Sequence, residues 1–181
     1  MENIYDYVTV SNIVSNKDCD IIVNKTVDNK LWKSHEWSST YPNEELYSHN
    51  TNEPDSQFAT EEIQKILNNS ISEALHKYPF NDKIVNKFTT PRLNRYKINH
   101  KMRSHIDHIY GIFDGIEKGI PVLTVVGVLN NDYEGGDFII NNKVYSLNKG
   151  DILIFPSLFI YKHKVNIVTK GVRHSFVSWA Y

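Results

Sequence analysis

From Arg92 to Tyr181 the chain is a succession of short apolar stretches, each cut off by Gly, Asn or Pro. Arg92 to Asp107, Val122 to Asn130, Asp137 to Ile140, Val144 to Leu147, Asp151 to Pro156 and His174 to Tyr181 read as strands. Between them Asn141-Asn142-Lys143 and Asn148-Lys149-Gly150 supply residues that tolerate the positive φ of tight corners. Strands joined in this way are antiparallel and consecutive, so the second half of the chain must close as one or two antiparallel sheets.

Two helices precede this run. Ser15 to about Asn29 places Cys19, Ile21, Ile22 and Val27 near helical spacing, with Ser15 or Asn16 offering a capping oxygen. Thr60 followed by Glu61 and Glu62 puts acids at the positive end of a helix dipole, and Ile63, Ile66, Leu67, Ile71 and Leu75 mark one apolar face running to about Lys77. The stretch from Ser34 to Ser56 is polar, holds two prolines and lacks a sustained period, and so reads as a long loop with the character of a lid. The expected fold is mainly β with flanking helices (α+β): a double-stranded β-helix, or jelly roll, over about 88–181, with a helical support over about 1–80, forming a single domain over 1–181.

Bulk properties narrow the partners. A chain of 181 residues that is 40% hydrophobic can bury one real core but hardly two. The net charge of −1 provides no global field for a phosphate backbone, which demotes nucleic acid as a partner. The single cysteine, Cys19, excludes an internal disulfide and a thiolate cluster and fits a reducing compartment. The start MENIYDYVTV lacks the pattern of a signal peptide, and no long apolar run suggests a membrane span, so a cytoplasmic protein is expected. Heavy use of Asn, Lys and Ile hints at an AT-rich genome such as that of a phage or a reduced bacterium; a phage origin would place the protein in a host cytoplasm. The oligomeric state is not written in the sequence.

Chemistry is concentrated in His105-Ile106-Asp107. On a strand, side chains at i and i+2 share a face, so an imidazole and a carboxylate are aimed at one point while Ile106 turns away. A second histidine from far along the chain would complete a two-His, one-carboxylate face with open positions, the arrangement of non-haem iron(II) oxygenases. His100 and His108 read as solvated or hydrogen-bonded strand residues. Trp179 and Tyr181 read as core aromatics.

The order of parts downstream resembles the prolyl 4-hydroxylase-like branch of the iron(II)/2-oxoglutarate dioxygenases over about Arg92 to Tyr181. Tyr96 leads to His105 and Asp107. Then come Leu129-Asn130 with Tyr133-Glu134-Gly135-Gly136, Gly150-Asp151-Ile152-Leu153-Ile154-Phe155-Pro156-Ser157, His163-Lys164-Val165, and Gly171-Val172-Arg173-His174-Ser175.

The resemblance implies that His105, Asp107 and His163 ligate iron(II) and that Arg173 holds the C5 carboxylate of 2-oxoglutarate. A planar guanidinium suits that task, and Ser175 on the same strand face and Tyr96 nearby add polar contacts. His174 faces the other way and reads as structural. Val128 departs from those family members that carry a second tyrosine just before Leu-Asn. With O2 and 2-oxoglutarate as co-substrates, and ascorbate admitted as a reductant, the implied reaction is hydroxylation of a C–H bond with release of succinate and CO2. The expected substrate is a prolyl residue of a peptide or protein, gripped by the Ser34 to Ser56 loop and the segment Ile109 to Pro121. A free amino acid or small metabolite is the alternative substrate, and a catalytically silent jelly-roll binding module the alternative function.

Overall fold

Three strands have almost no wet face. β6 (Leu123–Val128) and β13 (Arg173–Ala180) are buried at every position, and β10 (Asp151–Pro156) at all but its last. A strand of this kind has to be covered on both sides. The computed structural model, which describes residues 3–28, 30–35, 53–79, 85, 87–107 and 119–181, shows what covers them.

These strands form the centre of a seven-stranded antiparallel sheet. Its order is β1 (Thr9–Asn12), β10, β6, β13, β4 (Arg92–Tyr96), β3 (Asp55–Phe58) and β2 (Lys33–Ser34). A smaller four-stranded sheet runs β5 (Met102–His105), β11 (His163–Val165), β8 (Phe138–Ile140) and β9 (Lys143–Tyr145). β7 (Tyr133–Gly135) and β12 (Val168–Gly171) pair separately.

On one face of the large sheet lie the helices α1 (Asn16–Thr26) and α2 (Glu61–Lys77). Ile22, Ile63, Leu67 and Ile71 pack there against Leu93, Val125, Ile152, Ile154 and Phe176. On the other face Tyr96, Val126, Leu153, Phe155, Val177 and Trp179 meet Met102, Phe138, Ile140 and Val165 of the small sheet. Alternate residues of each central strand thus enter two different cores, which is why the segments read as apolar throughout rather than alternating. The jelly-roll sandwich with helical support on one face is the expected one.

Gly127 marks a close approach. A Cβ there would stand 2.0 Å from Cε1 of Phe176, its register partner on β13. At the β8–β9 corner Asn141 adopts φ 52, and at the turn into β10 Gly150 adopts φ 87, as their positions require.

The helix starts fall where expected. Ser15 caps α1 by accepting from the Asp18 N–H at 3.1 Å, and Thr60 is the N-cap residue of α2.

Other boundaries differ. The expected strand Arg92 to Asp107 is two strands, β4 and β5, broken by a turn where Asn99 has φ 70 and His100 sits half-exposed. The expected helical support over about 1–80 also contributes β1, β2 and β3 to the large sheet. β3 is pinned to β4 by Arg95, which donates to Asp55 at 2.8 Å, and by Lys97 at 2.8 Å from the same carboxylate. These edge strands are short and polar on one side, and pairing rather than apolar period holds them. Residues 36–52 of the expected lid, and His108 with most of the Ile109 to Pro121 segment, lie outside the described residues. Among the described residues no helix is long and apolar enough to cross a membrane.

Candidate active site

His105 ends β5 and His163 begins β11, and the two are register partners across the small sheet, with ring centroids 4.2 Å apart. Asp107 follows two residues after His105, just past the end of β5, while Ile106 turns outward. The Nε2 atoms of His105 and His163 stand 3.3 and 3.5 Å from Oδ1 of Asp107. All three potential ligand atoms lie within 4.8 Å of one another.

Each ring is turned by its other nitrogen. Nδ1 of His105 lies 2.8 Å from the Arg103 carbonyl, and Nδ1 of His163 lies 3.0 Å from the Tyr161 carbonyl. Carbonyls only accept, so these contacts place a proton on each Nδ1 and turn both Nε2 atoms toward Asp107. The Thr124 hydroxyl donates to Oδ2 of Asp107 at 2.9 Å, and its oxygen is 2.8 Å from Ser157. Since Thr124 has one proton to give, Ser157 is the donor in the second contact. One carboxylate oxygen is thereby fixed and the other is left toward the histidines. Phe138 stacks on His163 with centroids 5.4 Å apart, and Phe155 meets it edge-on at 4.9 Å, so the rings are also held from behind.

Burial would raise the Asp107 carboxyl, but the field of His163 and hydrogen bonding to His105 and His163 outweigh it and hold the group well below the usual carboxylate range. For His163 burial works downward and is overcome by Asp107, so its pKa is raised. Once a metal displaces the Nε2 protons shared with Asp107, two imidazole nitrogens and an ionised carboxylate form a donor set that fits a divalent transition metal, with the supporting contacts on Nδ1 and Oδ2 already made.

A narrow cavity opens from this cluster between the two sheets. Arg173 stands in its wall and is 1% exposed. Its Nη1 donates to Ser175 Oγ at 2.9 Å, its Nε has no hydrogen-bond partner, and no ion pair to it exists among the described residues. Tyr96, directly opposite Arg173 in register, places its ring 5.2 Å from the guanidinium carbon. Burial pushes the Tyr96 phenol up to about 12, so it stays a hydrogen-bond donor. A buried guanidinium without a counter-ion is costly unless an anion arrives.

The sequence-derived set His105, Asp107, His163, Tyr96, Arg173 and Ser175 therefore lines one cavity. His174 points to the opposite face, edge-on to Trp32 with centroids 6.3 Å apart. His100 is not among the cavity residues. Trp179 corrects an expectation in part: it packs in the core and also walls the cavity. Sequence reasoning misses three lining residues that bear on the site, Arg92, Asn94 and Phe138, and also Thr124, which holds Asp107 but is not on the cavity wall. Arg92 and Asn94 alternate with Tyr96 along β4, so strand period alone would have found them. Thr124 is the lone polar residue of a buried strand.

Residues 91–181 match the family model of the 2OG-Fe(II) oxygenase superfamily. The chain belongs to this superfamily, whose members use iron(II) and 2-oxoglutarate.

A PKHD-type hydroxylase of Idiomarina loihiensis is 32% identical over 91 residues, 48% of this chain and 39% of that protein. One from Xylella fastidiosa is 29% identical over 140 residues, 66% of this chain and 57% of that protein. The chain thus spans about half the length of these curated relatives.

Among solved structures, a viral collagen prolyl hydroxylase from Paramecium Bursaria Chlorella virus-1, in complex with 2OG, superimposes with a TM-score of 0.70 at 16% identity. The match covers 96% of this chain and 94% of that one. A Trichoplax adhaerens prolyl hydroxylase, in complex with a peptide fragment of the hypoxia inducible factor oxygen degradation domain, gives 0.71 at 16% identity, over 97% and 83%. At such identities the likeness establishes the fold.

Proposed function

We propose that this chain is an iron(II)- and 2-oxoglutarate-dependent dioxygenase that hydroxylates a C–H bond of a prolyl residue in a peptide or protein, releasing succinate and CO2. The observation that carries the reading is Arg173, a buried guanidinium lacking a counter-ion, in a cavity that also holds a His-Asp-His donor set. In this reading His105 and His163 bind iron(II) through Nε2 and Asp107 through Oδ1. Arg173 takes the C5 carboxylate of 2-oxoglutarate by paired charge-assisted hydrogen bonds, while Ser175 and Tyr96 contribute hydroxyls. A silent binding module would have no use for this combination.

Bound iron(II) supplies the activation of O2 that couples decarboxylation of 2-oxoglutarate to oxygen insertion. The protein's own residues supply position and dryness. Thr124 fixes the orientation of Asp107, Phe138 and Phe155 fix that of His163, and the apolar walls at Val126, Val165 and Val177 exclude water from the cavity. What favours a prolyl substrate is the presence of prolyl hydroxylases among the structural neighbours, since the shared motifs themselves serve metal and co-substrate. The buried, unpaired Cys19 accords with a cytoplasmic setting.

The test is succinate release from 2-oxoglutarate in the presence of proline-containing peptides, with product mass measured. A gain of one oxygen on proline supports the reading. Succinate release without peptide modification, combined with oxidation of a small metabolite, would move the substrate to that class.

A further inference from the structure

Arg92 is a second guanidinium in the same cavity, and nothing in the reading above uses it. Its guanidinium carbon lies 5.1 Å from the ring centroid of Trp179, and its buried Nε lacks a hydrogen-bond partner. No ion pair to Arg92 exists among the described residues. Asn94 Oδ1 and Trp179 Nε1 on the same walls are buried and also without partners. Buried polar atoms are rarely left unpaired, and several around one cavity point to a ligand that satisfies them.

The position of Arg92 separates it from the co-substrate end. Along β4, Tyr96 is opposite Arg173 whereas Arg92 is opposite Val177. The four-residue step between Tyr96 and Arg92 spans about 13 Å at the rise of a strand. Trp179, on which Arg92 stacks, is the register partner of Thr124, and Thr124 holds Asp107. Arg92 therefore stands at the metal end of the cavity and Arg173 at the other.

Charge gives the same answer. Among the described residues that line the cavity Asp107 is the one acid, against the two guanidiniums of Arg92 and Arg173; a further buried acid, Glu53, is off the lining and acts on Tyr96, at the Arg173 end. With a divalent metal the lining carries three positive charges, and the dianionic co-substrate, held by Arg173 and the metal, neutralises two. One positive charge is left, at Arg92.

We infer that Arg92, stacked on Trp179, recognises a carboxylate of the substrate, so that the molecule hydroxylated here carries an anionic carboxylate next to the C–H bond presented to the metal. The inference rests on the oxygenase reading and names the substrate chemistry of that site. The carboxylate comes either from an amino acid or a C-terminal residue, or from an acidic side chain beside the target in a peptide.

The test uses the full chain loaded with Mn(II) and 2-oxoglutarate, which do not turn over, and calorimetric titration of four probes: N-acetyl-L-proline, N-acetyl-L-prolinamide, L-proline and an end-blocked Pro-Asp peptide. Uptake of 2-oxoglutarate is read first, and its failure sinks the oxygenase reading before any probe is added.

Once uptake is seen, at least one carboxylate probe is expected to bind about tenfold or more tightly than the amide, a difference that one charge-assisted hydrogen bond supplies. Arg92→Gln is expected to abolish that preference while changing 2-oxoglutarate affinity less than about twofold, and Arg92→Lys to restore part of it. Tightest binding by L-proline or N-acetyl-L-proline identifies the first source of the carboxylate, and by the Pro-Asp peptide the second. Three outcomes would overturn the inference: a wild type that does not prefer a carboxylate or binds no probe, a preference that survives in Arg92→Gln, or a loss of 2-oxoglutarate affinity in that variant as large as in Arg173→Ala.

Discussion

Asp107 is held by a single hydroxyl on the side away from the histidines, and that hydroxyl is the most direct lever on the donor set. Thr124→Val keeps the shape of a fully buried side chain and deletes the bond. Metal affinity is expected to fall about 10- to 100-fold, as for other losses of groups that orient a ligand, and Mn(II) titration with little change in thermal midpoint would check it.

His174 offers a test with a pH axis. Burial, with the charge of Arg95 adding to it, pushes its pKa from 6.5 down to about 4. The unfolded chain therefore takes up this proton first, and folding stability falls as pH drops from about 6.5 to about 4. The loss from this residue amounts to at most about 3 kcal/mol. His174→Gln is expected to flatten the dependence of the urea midpoint on pH over that window, whatever it costs at pH 8. The orientation of both residues follows from strand alternation, so His174 could be set aside and Arg173 kept from sequence alone. Arg92, directly after Pro91, shares the Tyr96 face by strand period, but nothing in the sequence marks that face as buried until the second sheet covers it.

At the scale of elements, β6 and β13 are joined by an exchange of volume, with Phe176 lying over the bare Cα of Gly127. Gly127→Ala is expected to cost about 1–3 kcal/mol, the range for overpacking a tight core, measured by chemical denaturation. Adding Phe176→Leu should recover part of that loss, since the clash is with the ring.

The long, doubly buried strands were legible as apolar runs bounded by turn residues, and both helices because each repeats its apolar period over several turns. β7, β11 and β12 are three or four residues long and were not read as strands. Such a segment cannot show a period, and His163 was found through the order of motifs rather than through any sign that it begins a strand. β1, β2 and β3 escape for a related reason: their exposed edges are polar, and backbone pairing of β1 with β10, of β3 with β4 and of β2 with β3 holds them in place.

At the scale of the molecule, the site belongs to neither sheet alone. His105 and His163 come from the small sheet, while Arg173, Ser175, Tyr96 and Arg92 come from the large one. In the proposed reading metal and co-substrate meet only when the two sheets are packed together, and each should stabilise that packing. The thermal midpoint is expected to rise with Mn(II) and 2-oxoglutarate together by more than with either alone, and a scan of the four conditions checks it.

In the proposed reading one cavity holds both a metal site and an anchor for 2-oxoglutarate. Anaerobic titration of the apo-protein with iron(II) and 2-oxoglutarate, followed in the visible region, tests it most directly. A metal-to-ligand charge-transfer band is expected in wild type, absent in His163→Ala and displaced to higher 2-oxoglutarate concentration in Arg173→Ala. A wild-type protein that shows no band and no affinity for the metal would contradict the account.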